Sequence, residues 1–444
     1  MPPLLAHPSP PPRDPELATP LPETPAHKRR RVDLVLRRVR VRDDEPLVDV
    51  AITDGRIAAI GAELGLHAPE EIDGDGHVLV PGLVESHLHL DKALLADYTP
   101  NASGTLSEAI SATARHKATV TAADLRARAE TALTMALRHG TTAIRAETEF
   151  DPFIGLTGIA ELLALKRRYA HLVTLQVVAF PQEGVFQHPG TEQLFREAMR
   201  RGADVVGGVP YNDIAPHRHI DLCFEIAREF DRPISLHQDF SDGAEGMTME
   251  YVARKTIAAG WQGRVAVGHA TALGALPPSR LKPLLALLRE ADITVVTLPL
   301  TDLYLGGRRD THKVRRALAP VAALLKAGVN VAVSSNNLRN AFTPFGTGDL
   351  LSVAALLIAA AHLGGGDLLP RVLDLATTNA ARALGLGPEY GLAVGRRADL
   401  VVLDTRRVHD AVIDLPERLW VLKDGRVTVR NTRKTEFRAT PAAA

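Results

Sequence analysis

The spacing of apolar positions changes period twice along the chain. Between Val32 and Val80 apolar residues come in short alternating runs separated by turn residues, the pattern of strands with one buried face. Val32 to Val41 and Leu47 to Ile52 read as strands, Asp54-Gly55 as a hairpin turn, and Arg56 to Ile60 as the returning strand. Asp73-Gly74-Asp75-Gly76 then leads into a strand from His77 to Val80. From Leu106 the helical period takes over, alternating with short β-branched runs. Helices are expected over 106–116, 122–139, 159–169, 191–201, 220–230, 249–259, 281–291, 314–327, 348–362 and 369–384. Strands are expected between them at 141–148, 173–180, 205–209, 233–237, 264–269, 294–298 and 330–334. Past Leu400 short strands return, at 400–403, 419–422 and 427–430, the last two joined by a Lys423-Asp424-Gly425-Arg426 turn.

Counted from Val78 to Val84, the middle of the chain holds about eight strand-then-helix units, the pattern of an α/β chain folded as a (β/α)8 TIM-type barrel. A doubly wound open sheet is the alternative, but no Gly-rich dinucleotide loop follows the first strand. The β-rich ends predict a small β-sandwich domain formed by both chain ends. The expected organisation is a disordered Pro-rich leader (1–31), a first part of the small domain (32–82) and the barrel (83–386). A second part of the small domain (387–432) and a frayed tail (433–444) follow.

Composition narrows the class. A chain of 444 residues with formal net charge zero fits one barrel plus a smaller unit and offers no electrostatic footprint for nucleic acid or an anionic membrane. The basic run Lys28-Arg29-Arg30-Arg31 reads as a solvated entry to the first strand. Cys223 is the only cysteine, which excludes an intrachain disulfide and suits a reducing compartment. No apolar run reaches the ~20 residues that span a bilayer, and the secretory pattern is absent. The expectation is a cytoplasmic enzyme acting on a small molecule, with no nucleic-acid or membrane partner. A homo-oligomer is expected only by analogy with other barrels.

The chemistry gathers around His77-Val78-Leu79-Val80-Pro81-Gly82-Leu83-Val84-Glu85-Ser86-His87-Leu88-His89-Leu90-Asp91-Lys92. In an extended segment alternate residues share a face, so His87 and His89 point the same way. His237 and His269 end two further predicted barrel strands, each after an apolar run. Barrel topology brings such ends to one face. Four histidines there predict one divalent metal ion, Zn or Fe, since neutral imidazole suits both.

The stretch from Val80 to Lys92 resembles the opening motif of the amidohydrolase superfamily, and within it the cytosine deaminase and N-isopropylammelide amidohydrolase-like group. Leu175-Gln176-Val177-Val178-Ala179-Phe180-Pro181-Gln182-Glu183-Gly184 is similar to a cytosine deaminase segment, as are Ala203 to Pro210 and Val267 to Ala272. Phe345-Gly346-Thr347-Gly348 and the return strand Tyr390 to Leu403 match the same group in order. The resemblance implies a metal-dependent hydrolase of non-peptide C–N bonds in cyclic amidines or amides, acting by deamination or dealkylamination of a nitrogen heterocycle. It implies His87, His89, His237 and His269 as metal ligands. Gln182 would meet the substrate's amide edge, Phe342 would close over the ring, and Asn337 would lie beside them.

Two departures stand out. The family's strand-8 aspartate, a metal ligand and proton acceptor, is replaced by Asn336, and the glutamate expected three residues after the strand-5 histidine is Phe240. An amide carries no charge and is no general base near neutral pH. Three readings stay open. Another carboxylate takes over, with Asp239, Asp242, Glu147 and Glu149 as candidates. Alternatively the leaving group needs less proton transfer, or the chain is a catalytically impaired small-molecule-binding barrel.

Overall fold

The computed structural model describes residues 32–436 and residue 438. The expected leader and residues 437 and 439–444 of the expected tail lie outside the described part. The chain begins with β1 (Leu34–Val39), β2 (Val48–Thr53), β3 (Arg56–Gly61), β4 (Glu70–Asp73) and β5 (Val78–Pro81). The first four form one sheet in the order β3-β2-β1-β4, with β4 parallel to β1.

After Gly82 the barrel begins with β6 (Leu83–Leu88), followed by α1 (Leu106–His116), α2 (Ala122–Arg138) and β7 (Thr141–Glu149). Next come α3 (Thr157–Arg168), β8 (Thr174–Phe180), α4 (Thr191–Arg200), β9 (Val205–Gly208), α5 (Pro216–Phe230) and β10 (Ile234–Gln238). Then follow α6 (Met249–Ala259), β11 (Val265–His269), α7 (Pro278–Glu290), β12 (Thr294–Thr297), α8 (Pro299–Leu305), α9 (Val321–Lys326) and β13 (Asn330–Val333). The series ends with α10 (Leu350–Ala360), α11 (Val372–Leu375) and α12 (Thr378–Ala383). Finally β14 (Leu400–Leu403), β15 (Arg418–Lys423) and β16 (Arg426–Arg430) join β5 in a second sheet, β16-β15-β14-β5. Leu36, Ile52 and Leu79 share one apolar cluster with Leu400 and Leu422, so the two chain ends bury each other.

β6 to β13 form eight neighbouring strands in sequence order, every strand pair parallel. Such strands are covered on both faces, which is why β7 is buried throughout. Asn336 closes the ring. Its backbone N–H donates to the His87 carbonyl (3.1 Å), and its carbonyl accepts from His89 N–H (2.8 Å). The buried Glu85 carboxylate braces the seam by accepting from the Ser335 backbone (2.9 Å) and from the Ser334 and Ser335 hydroxyls. The (β/α)8 barrel with largely antiparallel sheets from both chain ends is therefore the architecture the sequence pattern predicts.

Details differ for physical reasons. The helix expected over 314–327 survives only as α9, because Pro320 cannot sit inside it. The stretch expected as one helix at 369–384 is broken at Thr377, whose ψ of −100° is not helical. β4 escaped notice because Glu-Glu-Ile-Asp has no apolar alternation, and α8 because a seven-residue, Leu-rich segment directly after a strand is too short to show a helical period. No helix among the described residues is long and apolar enough to cross a membrane.

Candidate active site

His87 is the penultimate residue of β6, His89 directly follows the strand, and His237 lies in β10. All three are buried, and their rings converge. His87 Nε2 lies 3.1 Å and His89 Nε2 3.0 Å from His237 Nε2. The alternation of an extended segment puts the first two on one face, and parallel packing of β10 supplies the third. Burial, reinforced by neighbouring cationic groups, pushes all three imidazoles well below their ordinary pKa, so they are neutral. Phe180 stacks on His237 with ring centres 4.0 Å apart. Each of the three has a buried Nδ1 without a hydrogen-bond partner, an unfavourable state for a purely structural cluster. Three neutral nitrogen donors within 4.8 Å of one another fit a single divalent cation.

The fourth expected ligand stands apart. His269, at the end of β11 with φ of +68°, directs Nδ1 to the Asp302 carboxylate at 2.6 Å. Its ring stacks on Phe240, centres 4.2 Å apart and planes 11° from parallel. It lines the same cavity as the other three but is not part of the mutual nitrogen cluster. Three of the four expected ligands thus converge directly, and His269 lies beside them, its ring centre 5.5 Å from that of His237.

Asn336 and Asn337 line the cavity. The Asn336 Oδ1 is buried without a hydrogen-bond partner, whereas Asn337 is held, donating to Thr301 and accepting from Asn340. Gln182 and Phe342 also face the cavity. Lys92 Nζ donates to Gln182 Oε1 at 2.9 Å and sits 4.5 Å from the Phe342 ring centre. With Oε1 engaged, Gln182 has its amide N–H groups left for the cavity. Lys92 also pairs with Glu149, which Lys117 contacts at 2.9 Å. Burial alone would raise the Glu149 carboxyl, but the two lysines outweigh it and hold it at about 2. The space enclosed by these side chains is about 10 Å³, room for about one water.

The substitute carboxylates proposed from sequence find other employment. Asp239 is a correction. Its carboxylate accepts from the Thr248 and Met249 backbone N–H groups (3.0 Å each) and from Gln238 (2.8 Å), closing the start of α6 rather than facing the cavity. Asp242 accepts from Gly307 N–H at 2.8 Å. Glu147 lies behind the imidazoles, with Oε1 3.4 Å from His87 Nδ1 and receiving the Ser235 hydroxyl at 2.6 Å. Burial pushes its carboxyl up to about 8. It does not line the cavity, and it stands behind the His87 ring without a hydrogen bond to it.

Sequence reasoning gave no role to Lys92, Thr301 or Asp302. Lys92 carried a signal, a charge directly after an apolar strand and Asp91. Asp302 carried a weaker one, a lone acid in the apolar run Leu298-Pro299-Leu300-Thr301-Asp302-Leu303.

A (β/α)8 barrel with buried imidazoles gathered at its C-terminal strand ends defines the class of metal-assisted barrel hydrolases. The family comparison narrows it: the amidohydrolase family model matches residues 104–429, and the chain belongs to that family. It is 32% identical to the 5-methylcytosine deaminase of Klebsiella pneumoniae, with a TM-score of 0.86 over 91% of this chain and 100% of that one. It is 31% identical to the N-isopropylammelide isopropylaminohydrolase of Burkholderia multivorans, with a TM-score of 0.80 over 90% of this chain and 98% of that one. The N-isopropylammelide isopropyl amidohydrolase of Pseudomonas sp. (strain ADP) is 29% identical over 409 residues, 90% of this chain and 98% of the relative. The relatives are amidohydrolases and deaminases acting on C–N bonds of heterocycles, in agreement with the group resemblance read from the motifs.

Proposed function

We propose that this chain hydrolyses an exocyclic C–N bond of a small nitrogen heterocycle, releasing ammonia or an amine. The observation that carries the reading is the convergence of His87, His89 and His237 in a cavity that also holds Lys92 and Gln182. The three histidines would hold one divalent ion, zinc or iron by the preference of neutral imidazole. When bound, such an ion activates the attacking water as a Lewis acid. Gln182 and Lys92 present donors to carbonyl oxygens carried on the substrate ring, and Phe342 covers a ring face. The names of the relatives, a 5-methylcytosine deaminase and two N-isopropylammelide hydrolases, support a pyrimidine or triazine.

A second reading is a binding barrel without turnover, and Asn336 and Phe240 favour it, because both proton carriers of the resembled group are missing. Elemental analysis of the purified protein and amine release from 5-methylcytosine, N-isopropylammelide and pterins separate the two. Hydrolysis requires about one equivalent of ion at the three-histidine site, with release from at least one ring and loss of release in His237→Ala. Tight ring binding with no release from any of them establishes the binding protein instead.

A further inference from the structure

The carboxylate missing from the end of β13 has a counterpart one strand away. Asp302 lies in α8, directly after β12, fully buried. Its Oδ1 meets His269 Nδ1 at 2.6 Å, and its Oδ2 accepts from Leu298 N–H at 3.3 Å. His269 Nε2 has no protein partner among the described residues, and the ring lines the cavity that holds the three-histidine cluster. Phe240, at the position where the resembled group has its glutamate, stacks flat on the same ring and holds its plane. Neither Asp239, Asp242, Glu147 nor Glu149 reaches that cavity as a lining group.

We propose that Asp302 is the positioning residue of the site: it binds the Nδ1–H of His269 and leaves Nε2 bare toward the cavity as the proton acceptor that Asn336 cannot be. A neutral imidazole has one N–H and one lone pair, and the group bound to one nitrogen decides which tautomer stands. In its ionised form a carboxylate only accepts, so it selects Nδ1–H. In the hydrolysis proposed above, on which this role rests, one water proton passes to His269 Nε2 while oxygen bonds to the ring carbon and the C=N π pair moves onto the ring nitrogen. That pair then returns to re-form the C=N bond as the exocyclic C–N bond breaks; the broken bond's electron pair stays with the departing nitrogen, and the same proton leaves with the amine.

The arrangement also says what an amide would do in place of Asp302. Leu298 N–H requires an acceptor on one side, so Asp302→Asn turns its NH2 toward His269 Nδ1 and forces the proton onto Nε2. The test reads the tautomer directly, by two-bond ¹H–¹⁵N correlation on ¹⁵N-histidine-labelled protein, metal-free and zinc-loaded, with His269→Gln supplying the assignment. The expected result is Nδ1–H in the wild type and Nε2–H in Asp302→Asn, with zinc content and melting temperature retained. For whichever of 5-methylcytosine and N-isopropylammelide the wild type hydrolyses, Asp302→Asn should lower kcat by roughly 10²–10⁴-fold with KM little changed. A wild-type ring protonated on Nε2, an unchanged tautomer in Asp302→Asn, or full kcat in that variant overturns the proposal. If the wild type releases amine from neither of these rings nor from pterins, the hydrolase reading falls, and the tautomer still decides what Asp302 does.

Discussion

Asn336 is both a hinge of the fold and the oddest residue of the site. Its backbone closes the barrel between β6 and β13, while its side-chain oxygen is buried with no partner beside three neutral imidazoles. Placing a carboxylate there has opposite consequences in the two states of the site. Without an ion, Asn336→Asp buries a charge while Lys92, the cation that shares the cavity, is already engaged by Glu149, at a cost of about 1–3 kcal/mol or more. With an ion, the charge is offset by the cation. Calorimetry should therefore find the variant melting below wild type in chelator, with zinc raising its melting temperature by more than it raises that of wild type. Equal zinc-induced shifts would mean that this side chain does not face the ion. Much of the site was legible at this scale. His87, His89 and His237 were readable because a two-residue period and barrel topology are strict geometric rules. The position of His269 was readable too, but its hydrogen bond to Asp302 was not. That depends on Asp302, whose approach is fixed by the turn after β12 and not by any spacing in sequence.

At the scale of elements, the loops at the mouth of the barrel are fastened by buried charges rather than by apolar packing alone. Lys117, just after α1, reaches Glu149 at the end of β7 (2.9 Å), Asp151 beyond it (2.8 Å) and Glu183 after β8 (2.7 Å). Removing one partner of a buried ionic cluster leaves the others uncompensated, which costs roughly 3–5 kcal/mol. Lys117→Met should lower the urea-unfolding free energy by about that much, and a loss under 1 kcal/mol would show the cluster to be solvated. Asp213 fastens the next pair of loops. It accepts from Val185 N–H (2.6 Å) and from His219 Nδ1 (2.8 Å). Burial works against its charge, but the His219 and backbone hydrogen bonds win and hold the carboxyl at about 2, from an ordinary 3.8. A depressed carboxylate contributes its full stability above the unfolded value, and that contribution is lost as pH falls through the folded one. The stability difference between wild type and Asp213→Asn should thus be constant above about pH 5. It should shrink from just under pH 4 down to about 2; urea midpoints across that range measure it. These fastenings were not legible in the sequence. Periodicity found the strands and most helices because burial imposes it, whereas Asp239 looked like a base and turned out to hold the start of α6. A carboxylate on a loop has no period that tells the two apart.

For the whole molecule, Gly82 is the one residue between β5 of a chain-end sheet and β6 of the barrel. Gly82 N–H donates to the Asp399 carbonyl (2.8 Å), and its own carbonyl accepts from the Tyr390 hydroxyl (2.6 Å), so both chain ends meet there. A Cβ on Gly82 would lie 2.1 Å from Thr142 Oγ1 and 2.4 Å from Thr142 Cγ2 in β7, closer than any non-bonded contact allows. Something must shift, and β6 is the short path from that clash to His87 and His89. Gly82→Ala should therefore cost about 1–3 kcal/mol by overpacking and, unlike an ordinary destabilising change on the outer face of the sandwich, also weaken zinc retention against a chelator. Trimming the obstacle supplies the control. In Gly82→Ala with Thr142→Ala the two closest atoms are gone, while the Thr142 Cβ at 2.8 Å remains, so stability and zinc retention should recover together but incompletely. If stability falls in Gly82→Ala while zinc retention stays at the wild-type level, the joint does not transmit to the site, and β6 is registered by the barrel seam at Glu85 and Asn336 alone.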